Sequence, residues 1–338
     1  MRLFLKNYLD THAISSQSLA NHYGLDGKQL QEQYKDYLSD YHEWDQKSHA
    51  ENWLLYEQNI GGFLSIDETS LSNGELYTII TNKAAKGRKG AIVAMVKGTK
   101  ADDIIAVLQR LSRRVRWKVR EVTLDMAANM EYIVKICFPK AKRVTDRFHV
   151  QKLVYDALQE MRIKYRWQAL DQEMIEINYA KARGESYKPI VFSNGDTLKQ
   201  LLARSRYLLF KKPSSWTHSQ QKRADILFEL YPDLKKAYHL SLQLGAIYHQ
   251  TKLKGVAFTK LAQWYDRVDK AQFLSFGTVA RTIQSHYETI LNYFENRSTN
   301  ASAESFNAKI KAFRSSFRGV RDIRDVRFFI FRVSKIYT

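Results

Sequence analysis

Cysteine is almost absent from this chain: Cys137 is the one thiol among 338 residues. A single thiol excludes an internal disulfide and a cysteine-rich zinc site. It sits in the apolar run Tyr132-Ile133-Val134-Lys135-Ile136-Cys137-Phe138, where a small buried hydrophobe is the expected role rather than a reactive nucleophile. Proline is sparse too, at four residues, so helices can run long. No stretch approaches the roughly 18 apolar residues that a bilayer crossing needs. The opening Met1-Arg2-Leu3-Phe4-Leu5-Lys6-Asn7 meets a charge before any hydrophobic region builds. These absences predict a protein that stays in the cytoplasm, with no membrane among its partners.

Positive charge is what the chain has in excess, +19 in all. Residues 81–120 hold twelve Lys/Arg against two Asp/Glu, and residues 297–338 hold ten against three, so 17 of the 19 charges come from these two segments. Dense, localised cations favour a polyanion through phosphate contact and counterion release. Neither segment has the bulky apolar face of a membrane-surface helix, and nucleic acid is the expected partner. Hydrophobic residues at 44% and charged residues at 26% are ordinary for a folded globular protein.

Residues 1–58 are expected to form a small helical unit. Ser16 to Tyr23 and Lys28 to Leu38 have helical periodicity across the turn Gly24-Leu25-Asp26-Gly27, a helix-turn-helix-like arrangement that would offer Lys28, Gln29, Gln31 and Lys35 to a DNA groove. The same residues carry five bases and nine acids, a poor electrostatic basis for holding DNA. A helical packing or partner module is an equal alternative.

From Gly61 the pattern changes to strands. Phe63 to Asp67, Leu76 to Thr81 and Ala91 to Val96 are predicted as three strands, the first two joined by the hairpin turn Ser72-Asn73-Gly74-Glu75. Ala101 to Leu111 is a helix, Val119 to Leu124 a strand ending on Asp125, Asn129 to Phe138 a helix, and Ala141 to Thr145 a fifth strand. The prediction is α/β: a mixed five-stranded sheet with flanking helices, in the order of the ribonuclease-H-like fold. Its first part occupies 59–150. Residues 151–290 form a large all-α insertion broken at Gly184–Pro189, Ser193-Asn194-Gly195, Lys212-Pro213-Ser214-Ser215 and Tyr231-Pro232. Residues 291–338 return to the core with a helix over Ala303 to Arg318 and a basic tail.

Asp67 and Asp125 close two strands that lie side by side in such a fold, so both carboxylates are expected at one edge of the sheet; Glu68 should face the other way. Glu304 is the only acid between Arg297 and Arg321. On its helix Phe306, Ile310, Phe313 and Phe317 form the packed stripe, while Glu304 heads a second stripe with Asn307, Lys311, Arg314 and Arg318. Three carboxylates make an oxygen-rich site for hard cations, and two Mg²⁺ ions about 3.5–4 Å apart can drive in-line displacement at phosphorus. Mn²⁺ could substitute. Taken singly, an Asp at a strand end is usually a turn residue or a helix cap, and Glu304 alone is explained as an acid near a helix N-terminus.

At these residues the chain resembles the DDE transposases of bacterial insertion sequences, of the ISL3 type. The resemblance rests on Ile66-Asp67-Glu68, Thr123-Leu124-Asp125-Met126, Asp146-Arg147-Phe148-His149-Val150 and Arg297-x-x-Asn300-x-x-x-Glu304-x-x-Asn307-x-Lys309-Ile310-Lys311, over roughly residues 60–335. It implies that Asp67, Asp125 and Glu304 are catalytic and bind divalent metal, with Asp146 and His149 accessory at the active site. Water and then a DNA 3′-hydroxyl would attack phosphorus without a covalent protein intermediate. Lys86, Arg88, Lys89, Arg297, Asn300, Asn307, Lys309, Lys311, Arg314 and Arg318 are the expected DNA contacts. The implied partners are the element ends and target DNA, with a homodimer or larger assembly on paired ends. Family members commonly begin with a cysteine-rich zinc module, which one cysteine cannot build. End recognition then falls to a separately encoded protein or to the acidic N-terminal unit. A non-catalytic DNA-binding protein derived from a transposase, or another ribonuclease-H-like nuclease, stands as the alternative.

Overall fold

The computed structural model describes residues 2–71, 75–317 and 326–338. The chain divides into two compact units, Met1–Asp146 with Ser298–Thr338, and Arg147–Arg297.

The first unit is built on a six-stranded sheet. Its strands are β1 (Trp53–Leu55), β2 (Phe63–Ser70), β3 (Leu76–Asn82), β4 (Ile92–Lys97), β5 (Glu121–Leu124) and β6 (Lys142–Thr145), in the order β1-β4-β3-β2-β5-β6. β1, β4, β3 and β2 pair antiparallel; β2, β5 and β6 run parallel. The five expected strands are joined by a sixth. β1 is three residues long and lies against the outer edge of β4, with Leu54 opposite Met95. So short a run carries no alternation of its own, and pairing with β4 is what makes it a strand.

Period-two alternation along β2 and β3 divides the apolar side chains between two faces. Leu64, Ile66 and Ile80 join Val122, Leu124, Ile104, Leu108, Ile133 and Val134 in one buried cluster, which covers one face with the helices Ala101–Leu108 and Ala128–Cys137. Tyr77, Ile79, Ile92 and Met95 join Phe306, Ile310, Phe313 and Phe317 on the other, beneath the helices Ala301–Ser316 and Val326–Tyr337. Each of these phenylalanines is worth about 1.5–3 kcal/mol by burial alone, so the expected packed stripe of the Glu304 helix does hold it to the sheet.

The N-terminal helices Arg2–Thr11, Ser16–Tyr23 and Gly27–Gln33 belong to this unit. Ser15 caps the second and Asp26 the third, with Gly24 left-handed at φ 65° ending the second. Leu5, Leu9, Leu19, Leu30 and Tyr34 pack with Phe328 and Phe331 of the last helix. Arg332 is fully buried there and donates to the carbonyls of Leu9 (2.8 Å), Ile14 (3.1 Å) and His12 (3.3 Å). Burial lowers its pKa to about 10.

The second unit is helical, apart from an isolated bridge between Val191 and Thr197. It begins with the 36-residue helix Arg147–Ala182 and continues through Leu198–Arg204, His218–Leu230, Pro232–Gln250, Lys254–Ala271, Leu274–Ser285 and Tyr287–Asn296. The predicted breaks fall between these helices. Trp264 is buried and donates to the Leu240 carbonyl at 2.9 Å, and Trp216 donates to that of Leu208 at 2.8 Å; Trp167 stays exposed. Asp196 is buried between the guanidinium groups of Arg204 and Arg223, the latter at 2.7 Å. Burial acts to raise its pKa, but the two arginines outweigh it and hold the carboxyl below the ordinary range. No described helix is long and apolar enough to cross a membrane.

Candidate active site at the carboxyl edge of the sheet

The register of the parallel strands sets the site. Ser65 of β2 lies level with Thr123 of β5, and Thr123 level with Val144 of β6. Two residues further along each strand stand Asp67, Asp125 and Asp146. Neighbouring strands lie about 4.8 Å apart, so three carboxyl-bearing residues share one row at the same edge. β2 itself continues to Ser70 because β3 runs beside it, so Asp67 lies within the strand rather than at its end. β5 and β6 stop just short of their aspartates.

Local hydrogen bonds orient the row. Asp125 Oδ1 accepts from the Ala127 amide at 2.9 Å, and Asp67 Oδ1 accepts from the Glu68 amide at 2.9 Å. Asp146 is buried, and its amide donates to the Leu124 carbonyl at 2.9 Å, which locks it beside Asp125. Glu68 interacts with Asn129 and Asp125; desolvation raises its pKa first, a hydrogen bond from Asn129 opposes this, and the Asp125 charge adds to it.

The helix Ala301–Ser316 brings the fourth acid. Asn307 is buried and its Nδ2 donates to Asp67 Oδ2 at 2.7 Å. Glu304 lies one turn earlier on the same helical face, exposed, and its carboxylate comes within 4.8 Å of that of Asp146. Among the described residues, Asp67, Asp125 and Glu304 do not by themselves form a cluster with all ligand atoms that close. The helix is fixed at its far end by Arg314, whose Nε and Nη2 both meet the Glu75 carboxylate at 3.1 Å.

That pair changes the expectation for the polar stripe. Arg314 is buried and bound to Glu75, so it is not a surface available to DNA. Arg297 belongs to the helical unit, where its guanidinium donates to the carbonyls of Thr251 (2.9 Å) and Tyr248 (2.7 Å). Asn300 is buried at the N-terminus of the Glu304 helix. Lys309 and Lys311 are exposed. Arg318 lies outside the described residues, as do Ser72, Asn73 and Gly74 of the expected hairpin turn. His149 lies in the first turn of the long helix of the other unit.

Lys86, Arg88 and Lys89 are exposed on the loop between β3 and β4. Lys86 is left-handed at φ 51° and Gly87 at φ 67°. The left-handed turn at Gly87 favours glycine, and it sets the cationic loop against the Glu304 helix, where a Cβ at residue 87 would lie 3.6 Å from Phe306 and 3.8 Å from Lys309 Nζ, ordinary contact distances. Arg88 and Lys89 also line a cavity of about 570 Å³ with Asp10, His12 and Lys335.

One residue has no signal in the sequence. Lys83 Nζ donates to Thr123 Oγ1 at 2.7 Å, one side chain behind Asp125 on the same strand face. Burial lowers its pKa, against the opposing pull of Glu121 and Asp146. In sequence Lys83 is one of twelve cations in its segment, and only the fold separates it from the rest.

A family model described as "Transposase", that of the ISL3-type DDE transposases, matches residues 64–332. No curated protein and no solved structure matches the chain.

Proposed function

The chain belongs to the ISL3-type DDE transposase family, and we propose that it catalyses metal-dependent DNA strand cleavage and strand transfer to move an insertion sequence. One observation carries this reading. Asp67, Asp125 and Asp146 share a register row on three parallel strands, and Asn307 pins the helix of Glu304 to Asp67. The strand order β1-β4-β3-β2-β5-β6 supports reading the sheet as a ribonuclease-H-like core with β1 added at one edge, and the helical unit as an insertion within it.

The donor set is made of carboxylate oxygens, which fits a hard divalent cation, Mg²⁺ or Mn²⁺. Asp67, Asp125 and Glu304 would hold two such ions, with Asp146 as a further oxygen donor beside Glu304. When bound, the ions supply Lewis acidity to the entering and leaving oxygens of an in-line displacement at phosphorus. Asn307 holds Asp67 in one orientation and the Ala127 amide holds Asp125 in another, so these two acids are oriented in advance and the exposed Glu304 would move to complete the set. Lys86, Arg88, Lys89, Lys309 and Lys311 hold backbone phosphates beside the row.

The test is nicking of a labelled duplex bearing the element's end, with Mg²⁺ or with EDTA, by the wild-type chain and by Asp67→Ala. Cleavage is expected from the wild-type chain with Mg²⁺ alone. A duplex that binds with or without metal and is never cut would instead identify a non-catalytic DNA-binding protein.

A further inference from the structure

The parallel strands are polarised. Their carboxyl edge holds the aspartate row; their amino edge holds cations. The Arg120 amide donates to the Gly62 carbonyl and the Lys142 amide to the Arg120 carbonyl, each at 2.8 Å, which ties Arg120 into the amino edge one residue before Glu121, the register partner of Lys142. Five residues of extended chain separate Arg120 from Asp125, about 16 Å at strand rise. The short helix Arg113–Arg116 and Trp117 lead into the same edge. Arg113 lies 4.2 Å and Lys140 4.3 Å from the centre of the Trp117 ring, so one half-exposed indole gathers two like charges.

Arg113, Arg114, Lys118, Arg120 and Lys140 are all exposed, and none has an ion pair among the described residues. The nearby acids do not pair with these five: Glu121 is buried, Glu131 is paired with Arg143, and the exposed Glu57 accepts from the Ser112 hydroxyl at 3.4 Å. Arg116 differs from its neighbours, because its guanidinium is taken up by the Leu111 and Cys137 carbonyls. Cations in excess over acids at one edge repel one another, and a polyanion turns that repulsion into attraction.

We propose that this amino-edge patch is a second duplex-DNA site, which grips the phosphate backbone of a segment other than the one at the acid row. Strand transfer involves two DNA segments, and the row of acids can act on one phosphorus at a time. A surface at the opposite edge of the same sheet can hold the other without competing for it. The assignment goes beyond the proposed activity and is tested without it.

The probes are two duplexes, one carrying a donor dye and one an acceptor, mixed with the full chain in EDTA. The variant is Arg113→Gln/Arg114→Gln/Lys140→Gln, and a charge-restoring Arg113→Lys/Arg114→Lys/Lys140→Arg variant accompanies it. The wild-type chain is expected to hold both duplexes at once. The glutamine variant should still bind one duplex but lose co-capture, with a salt slope shallower by roughly 2–3, and the charge-restoring variant should recover both. Equal thermal midpoints for the three proteins establish that the fold is intact. The proposal is overturned if the glutamine variant co-captures like the wild type. It is also overturned if first and second binding weaken together, which would mean one continuous groove, or if charge restoration fails to recover binding. Loss of binding to anionic vesicles with duplex co-capture unchanged would assign the patch to a lipid surface. Because cleavage is not read, a chain that proves unable to cut DNA leaves the result standing.

Discussion

Asn307 donates its side-chain amide to Asp67 across 2.7 Å, although 240 residues separate the two in sequence. The bond couples the helix that carries Glu304 to the strand that carries the first acid. Hydrogen bonds to charged groups contribute about 1.5–3 kcal/mol. Asn307→Ala should therefore lower single-turnover nicking by about 10- to 100-fold while shifting the thermal midpoint little. Asn307→Asp should be worse, because it sets a second carboxylate against Asp67. Unchanged nicking in both variants would remove Asn307 from the site.

Lys83 stands about 7 Å behind the acid row, one alternate side chain along the strand. Its positive charge works against a cation bound at the row. Lys83→Met should therefore shift the Mg²⁺ midpoint of nicking several-fold towards lower concentration. The lowered folded pKa also has a sign in stability. Between that pKa and the ordinary 10.5, the unfolded chain binds the proton and the native chain does not, so this group's contribution to native stability rises with pH. Cys137 pulls the other way over part of this range, so urea titrations at stepped alkaline pH should show the Lys83 contribution as a wild-type minus Lys83→Met difference that grows in favour of the wild-type chain with pH.

Asp196 bears on the helical unit alone. Asp196→Asn leaves Arg204 and Arg223 without their carboxylate. Breaking a buried pair typically costs about 3–5 kcal/mol, but Arg204 is half exposed, so about 2–3 kcal/mol is expected after screening. The depressed folded pKa means that this stabilisation is present above the ordinary 3.8 and is lost as pH falls through the folded value. Circular dichroism in urea at pH 7 and at stepped acid pH would read both effects.

Cys137 should be silent in the native chain. It is fully buried, and burial pushes its thiol up to about 12. An aromatic disulfide reagent at pH 8 is expected to label no thiol before denaturation and one per chain afterwards. From the ordinary value of 9.0 to about 12 the unfolded chain ionises and the native chain does not, so stability falls with rising pH over that window.

The strands around Asp67 and before Asp125 were legible because alternation and turn residues are local signals, although β2 runs on past Asp67 to Ser70. The apolar stripe of the Glu304 helix was legible for the same reason. Periodicity correctly grouped Glu304, Asn307 and Arg314 on one face, but it could not say what that face meets. Asn307 and Arg314 turn inward because Asp67 and Glu75, each some 240 residues away, lie beneath them. Arg297 likewise has carbonyl partners that no spacing rule predicts. The full row of aspartates, with Asp146 level with the others, emerges only when three strands are set in register.

Arg332 has a consequence for how such a chain can be rebuilt. Its side chain has carbonyls of residues 9, 12 and 14 as acceptors, so the protein's last helix is solvated, in effect, by its first. Exchanging the helices over residues 2–33 for others would strand a guanidinium in an oily interior unless the replacement offered carbonyls at the same place. The helices over residues 2–33 and Val326–Tyr337 must be inherited as a matched set, and replacing the former calls for changing residue 332 along with it.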